Sequence, residues 1–474
     1  MIATIAFKEL RDTWRDGRFR IGGALLLVLL VVSGVLAWQQ TERTRNERYE
    51  AAQLDRLNWL HQGEKNSHSA GHYGVYAFKP TAPLSAFDRG IEPYVGNTVF
   101  LEAHRRNSAS FLPAQDATNM RRFGELTASV SLQILLPLLV ILLAFGTLAG
   151  ERERGTLRQV LSLGVDPVQL VVGKFIGLFL AVALLLAPLV LLGGWLMSGA
   201  GEQQDPALAK RILLLSGAYA SYLGVFLALA VAISARARSA RGALTLLLGL
   251  WAFNCVLAPR LSSDLVDAWL PTRDLSSFED AIATDLKKGL DGHDSRDAHL
   301  KQFTLDTLAK YGKQTVAELP FNFNGLVMLE SEKFSSEVYG HHYALMWDRM
   351  EAQDRAMTLA GLVAPLLALR TASMSLSGTD LRQHRYFADA SEVHRMEFMR
   401  VLNEDLMNNA LPEDRNYRAG RELWEQLPPF ELAPRDFGAV WRDARLALGI
   451  LAAWFCVAFL WLWSSARRLR LEAA

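Results

Sequence analysis

Six stretches of this chain, at 21–38, 128–150, 170–198, 212–233, 243–258 and 446–465, are apolar almost throughout and nearly free of charge. A bilayer core of about 30 Å is crossed by roughly 20 apolar residues in a helix. A buried helix of a soluble protein would instead carry polar residues every turn, and these stretches lack them. The stretch 243–258 is short, so it must tilt little or draw on its flanks. The pattern predicts an all-α polytopic membrane protein with six transmembrane helices.

Basic residues gather in four places: Lys8 to Arg20, Arg152 to Arg158, Arg236 to Arg241, and Arg467 to Arg470. Because positive charge is retained on the cytoplasmic side, these clusters place both termini in the cytoplasm. The protein is then a multi-pass membrane protein, with 39–127 and 259–445 as insertions on the outer side. Lys210 and Arg211 are a mild exception. A net charge of +1 gives no general reason to expect nucleic acid. Both cysteines, Cys255 and Cys456, fall within expected spans, so the insertions contain no disulfide. No A-x-A site follows the first apolar run, which therefore reads as an uncleaved span and not a signal peptide.

Between the spans the chain reads as helical. Residues 1–20 place Ile2, Ile5, Ala6, Leu10 and Trp14 on one face and Lys8, Arg11, Asp12 and Arg15 on the other, the pattern of an interfacial amphipathic helix. The first span continues as helix beyond residue 38 and ends in a Gly/His/Pro-rich loop at 63–97. In the larger insertion, segments around 279–311, 337–358 and 380–408 have helical spacing, and no strand alternation or internal repeat is visible. The apolar run 356–369 contains Pro365 and is too short to span, which suits a re-entrant helix.

No G-x-x-x-x-G-K-[ST] run occurs, so no Walker loop cradles a nucleotide, and the chain is expected to catalyse nothing and hold no cofactor. The span interiors also lack the titrating groups on which proton- and ion-coupled carriers depend. Energy for transport would have to come from a partner. The run Glu151, Arg152, Glu153, Arg154, Gly155, Thr156, Leu157 sits between two spans as a compact charged element. It suits a partner's docking handle, with Gly155 allowing a sharp break.

The segment ERERGTLRQVLSLGVDPVQLVVGK around that run resembles the coupling-helix region of type-two ABC permeases, the family of drug, polysaccharide and lipid exporters. FKELRDTWRDGR resembles the family's amphipathic connecting helix, and APLLALRTASMSLSGTD (364–380) its re-entrant segment before the last span. The long insertions resemble an uncharacterised bacterial branch with large periplasmic domains. The resemblance implies the permease subunit of an ATP-driven ABC export complex. Two ABC ATPase subunits, holding ATP and magnesium, would dock on the coupling helix at 151–169. A second permease copy or paralogue would complete the pathway in the lipid membrane, with the long insertions open to a periplasmic partner. The alternative is a membrane-anchored periplasmic binding or assembly protein without transport.

Within the spans, Ser129, Ser131, Gln133, Tyr219, Ser221, Tyr222 and Asn254 are the main polar residues. They either line a path between protomers or, the reading favoured for most of them, join helices by hydrogen bonds. Gly193, Gly194 and Gly217 are expected to allow close helix packing. All ten histidines lie in the insertions. His68 and His72 have ligand spacing on a helix, but Gly71 between them and the loop-like surroundings lead to no metal being expected.

Overall fold

A computed structural model describes residues 1–112, 127–198, 205–292, 295–411 and 416–473. His293, counted above among the histidines, lies outside them. Six of its helices are long and apolar enough to cross a membrane: Gly17–Leu60, Ala128–Glu153, Pro167–Leu191, Leu208–Arg236, Ala240–Trp269 and Phe437–Leu469. The chain is an integral membrane protein of all-α type.

Helix α1 (Ile2–Arg15) stops at Asp16, whose carboxylate accepts the Arg18 amide and so caps α2 (Gly17–Leu60). No Gly or Pro interrupts 35–60, and α2 runs unbroken for 44 residues, about 66 Å at 1.5 Å per residue. Its far end therefore stands well beyond the apolar part, as the sequence predicts. Three more apolar helices follow: α4 (Ala128–Ala144), α7 (Pro167–Ser198) and α8 (Leu208–Arg236). The short stretch at 243–258 is lengthened by its flanks. Helix α9 (Ala240–Ala252) passes through a π-helical turn (Phe253–Leu257) into α10 (Ala258–Trp269). Helix α17 (Phe437–Ala473) closes the bundle.

Close packing occurs at other glycines than those expected. A Cβ added at Gly193 or Gly217 would meet nothing within 4 Å, and one at Gly194 only ordinary contact with Ile212. A Cβ on Gly173 would instead come 2.7 Å from Ile5, and one on Gly177 would come 2.5 Å from the Ala6 carbonyl. The G-x-x-x-G spacing of these two residues lets α1 lie directly on α7. One edge of α1 is thus packed on protein, while Phe7 and Trp14 stay exposed.

The two insertions form one body at the far end of α2. The first contributes α3 (Ser67–Tyr73) and a small antiparallel hairpin that the sequence reading missed, β1 (Val75–Phe78) with β2 (Thr98–Leu101), Val75 facing Leu101. The second contributes α11 (Leu275–Lys288), α12 (Arg296–Tyr311), α13 (Phe323–Ala360), α15 (Leu381–Asn409) and α16 (Arg421–Gln426). Trp59 at the end of α2 and Trp424 on α16 are almost wholly buried against each other, ring centroids 5.3 Å apart. We call this body the distal domain. Between α13 and α15, α14 (Pro365–Ser377) turns back into the bundle and is buried along nearly its whole length. The chain bends there because Pro365 can begin a helix but not continue one.

Candidate coupling element and the polar network behind it

The loop between α4 and α7 folds into two short helices, α5 (Ala149–Glu153) and α6 (Thr156–Ser162). Gly155 between them has φ +77° and Gly164 after them φ +81°, a left-handed conformation that glycine adopts without a Cβ penalty. Leu157 is buried, and Val160 and Leu161 pack against the bundle.

The charged side chains of the run turn mostly inward. Glu151 accepts from Lys174 Nζ at 2.9 Å, and the same ammonium reaches Glu9 on α1 at 3.1 Å. The guanidinium of Arg152 donates to the carbonyls of Ala237 (2.6 Å) and Ala235 (2.7 Å), covering the open end of α8. Cations at a helix C-terminus satisfy its last carbonyls and its dipole. Glu153 accepts the Ala240 amide at 3.1 Å, which caps α9. Thr156 donates to the Glu151 carbonyl at 3.2 Å. On α8, Ser234 accepts the amides of Leu148 (3.0 Å) and Ala149 (3.1 Å) and donates to the Phe145 carbonyl at 2.8 Å. The element is thus fastened to α1, α7, α8 and α9. Its open surface runs from Arg154 at the end of α5 along the outer side of α6, through Arg158, Gln159 and Ser162, to Leu163 at the tip, 83% exposed. The charges legible in the sequence anchor the element, and the surface it shows lies a few residues further on.

Five of the seven polar span residues, Ser129, Gln133, Tyr219, Tyr222 and Asn254, come together deeper in the bundle, and all five are buried. Gln133 donates to Tyr219 Oη at 3.0 Å, and its own backbone carbonyl accepts from Tyr222 at 3.0 Å. Asn254 donates to Tyr222 Oη at 3.1 Å and accepts the Leu366 amide at 3.2 Å, so the π-helical turn holds the start of α14. Tyr219 meets Ser373 on α14 at 3.1 Å, and Ser129 meets Thr127 at 2.9 Å. These groups join α4, α8, the π turn and α14 within one chain, the interhelical role favoured for them.

Two charged residues that the sequence reading overlooked enter this network. Arg370 of α14 donates to Gln133 Oε1 at 3.3 Å. Asp88, from the first insertion, accepts from Ser373 and from the Gly90 amide. Burial pushes the Asp88 carboxyl above its ordinary range. Neither lies in an apolar stretch, so no scan of the spans could find them. The distance of Asp88 from the second insertion in sequence hid their meeting.

The profile of the ABC-2 family transporter protein family matches residues 3–270, more than half of the chain. A domain of unknown function (DUF3526) matches 277–433. The chain is also similar to the probable ABC transporter permease protein NosY of Pseudomonas aeruginosa, 38% identical over 130 residues, which is 26% of this chain and 45% of that one. The chain therefore spans less than half the length of that relative.

Proposed function

Because the chain belongs to the ABC-2 family of transporter proteins, we propose that it is the permease subunit of an ATP-driven export complex whose ATPases dock on α5–α6. The observation that carries this reading is the fastening of a two-helix element to three membrane-spanning helices and to the interfacial α1 through Ser234, Arg152, Glu153 and Lys174. An element held so firmly moves as a unit, and its displacement is delivered to the ends of α7, α8 and α9. From α8, the Tyr219 and Tyr222 bonds lead to α14 and the distal domain.

In this reading two ATPase subunits close on ATP and magnesium and press on the α6 surface of two permease copies, identical or related. The bundle then opens toward the distal side. Both termini face the cytoplasm of the inner membrane, and the distal domain stands in the periplasm. Span interiors without charge suit an amphiphilic or apolar cargo. The chain acts as a mechanical transmitter, and hydrolysis belongs to its partners.

The test is to isolate the chain from its native host with any ATPase that co-purifies and to measure ATP hydrolysis in proteoliposomes. Leu163→Asp with Arg158→Glu is expected to reduce complex formation and permease-dependent hydrolysis at least about tenfold, the loss of roughly 1.4 kcal/mol or more of docking energy. The melting of the isolated chain should be unchanged. Full hydrolysis in this variant would overturn the docking assignment. Absence of any associating ATPase would favour the anchored assembly protein.

A further inference from the structure

We propose that His68, His72 and His104 form a binding site for a late first-row divalent cation, with zinc as the representative ion. Their ligand nitrogens all lie within 4.8 Å of one another. Asn66 caps α3 by accepting the amides of His68 (3.0 Å) and Ser69 (3.3 Å), which places His68 and His72 one turn apart on one face. Gly71, the residue that made this segment look like a loop, is what lets α3 dock. A Cβ there would come within 2.8 Å of Met399 on α15.

The third ligand arrives from the end of the hairpin. His104 has φ +63°, a left-handed conformation that is uncommon outside glycine and gathers at functional positions. Its backbone amide donates to Glu332 at 2.7 Å, and the same carboxylate lies 2.7 Å from its Nδ1, somewhat off the ring N–H direction. A carboxylate at that distance keeps the proton on Nδ1, leaving the Nε2 lone pair free. Nδ1 of His68 lies 2.8 Å from Asn403 Oδ1, which likewise holds the proton there and frees Nε2. Buried partners that fix the tautomer in this way are the usual outer support of metal-bound imidazoles.

The two Nε2 atoms then face each other at 3.2 Å, lone pair against lone pair. A tetrahedral site with Zn–N bonds of about 2.0–2.1 Å sets neighbouring nitrogens about 3.3 Å apart. A proton shared between the rings would also relieve the repulsion, provided the Asn403 amide turned its NH2 toward His68. The convergence of a third imidazole, His72, is accounted for by the cation and not by the proton. An all-imidazole set suits zinc, copper(II) or nickel over magnesium or calcium. His72 is exposed, so the ion would keep one position open to solvent. A bound ion would tie α3 and the hairpin of the first insertion to Glu332 and Asn403 of the second.

The experiment uses the full chain in detergent, free of any histidine tag and stripped with chelator, titrated with zinc against a chromophoric competitor. About one zinc per chain should bind, and binding should raise the melting temperature by mass action. His72→Ala, on the exposed side, should leave the metal-free melting temperature unchanged, weaken uptake at least about tenfold and abolish the zinc-dependent rise. His104→Gln should lose uptake altogether. Sub-stoichiometric binding by the natural chain, or the same uptake and melting response in His72→Ala, would overturn the site and leave a paired-histidine contact in its place.

Discussion

The membrane bundle and the distal domain bury polar groups by opposite means. In the bundle the deep network consists mainly of neutral hydroxyls and amides; the charges that reach it, Arg370 and Asp88, come from outside the spans, and Lys174 lies between Glu9 and Glu151 near the start of α7. In the distal domain a full ion cluster is sealed inside: Arg395, 1% exposed, donates to Glu332 at 2.8 Å and to Glu392 at 2.9 Å. A bilayer offers no water to a mispaired ion, so the bundle keeps charge to its margins. A water-soluble domain tolerates buried charge when every partner is present, and the pairing then fixes which segments meet. Here the pairing also crosses between insertions, since Arg395 donates to the Glu102 carbonyl at 3.1 Å and Arg106 to Asp389 at 2.7 Å.

The sharpest way to break this contrast is Arg395→Met, which leaves two buried carboxylates without their cation. Burial alone would raise Glu332, but His104 and Arg395 beside it hold it down to about 2, so the loss should be severe. Removing one partner of such a cluster costs about 3–5 kcal/mol. Thermal unfolding of the purified chain should show the distal domain melting early, with the bundle retained.

Next in size is a pH effect confined to the distal domain. Burial, assisted by Lys79, pushes His384 down to about 4 from an ordinary value of 6.5. The unfolded chain therefore takes up a proton on this residue between pH 6.5 and 4 while the folded chain does not. Stability is level above pH 6.5 and falls as pH drops through that window, by about 3 kcal/mol at its lower end. Melting temperatures measured from pH 7.5 to 4.5 should decline, and His384→Asn should flatten the decline.

Smaller changes are expected in the bundle. Lys174→Met removes the cation shared by Glu9 and Glu151 and should loosen α5–α6 from α1 and α7. Permease-dependent hydrolysis should fall several-fold, while the distal domain's unfolding stays as it was. Tyr222→Phe, which breaks neutral interhelical bonds, should cost only about 0.6 kcal/mol. A larger loss there would mean the bundle relies on polar contacts as heavily as the distal domain does.

The same division separates what the sequence discloses from what it hides. Long charge-free runs identify the spans because a bilayer demands them, and the Glu151–Leu157 run draws attention to the proposed coupling element because charge between two spans is conspicuous. The direction those charges face is set by Ser234, Lys174 and the end of α8, which no local pattern around 151–157 encodes. In the distal domain the contacts that matter join positions hundreds of residues apart, as His68 with Asn403 or Trp59 with Trp424. Gly71 and the Gly/Pro-rich surroundings disguised both α3 and the hairpin as loop. Periodicity reports which face of a helix is apolar, and it carries no information about which distant helix will cover that face.

The central claim is that the α6 tip, and not the distal domain, meets the ATPase. A photo-cross-linking residue placed at Leu163, 83% exposed, or at Val393 of the distal domain, 71% exposed, tests it in membranes containing the ATPase. The account predicts a permease–ATPase adduct from position 163 and none from position 393. An adduct from 393, or none from 163 in an ATP-hydrolysing complex, would contradict it.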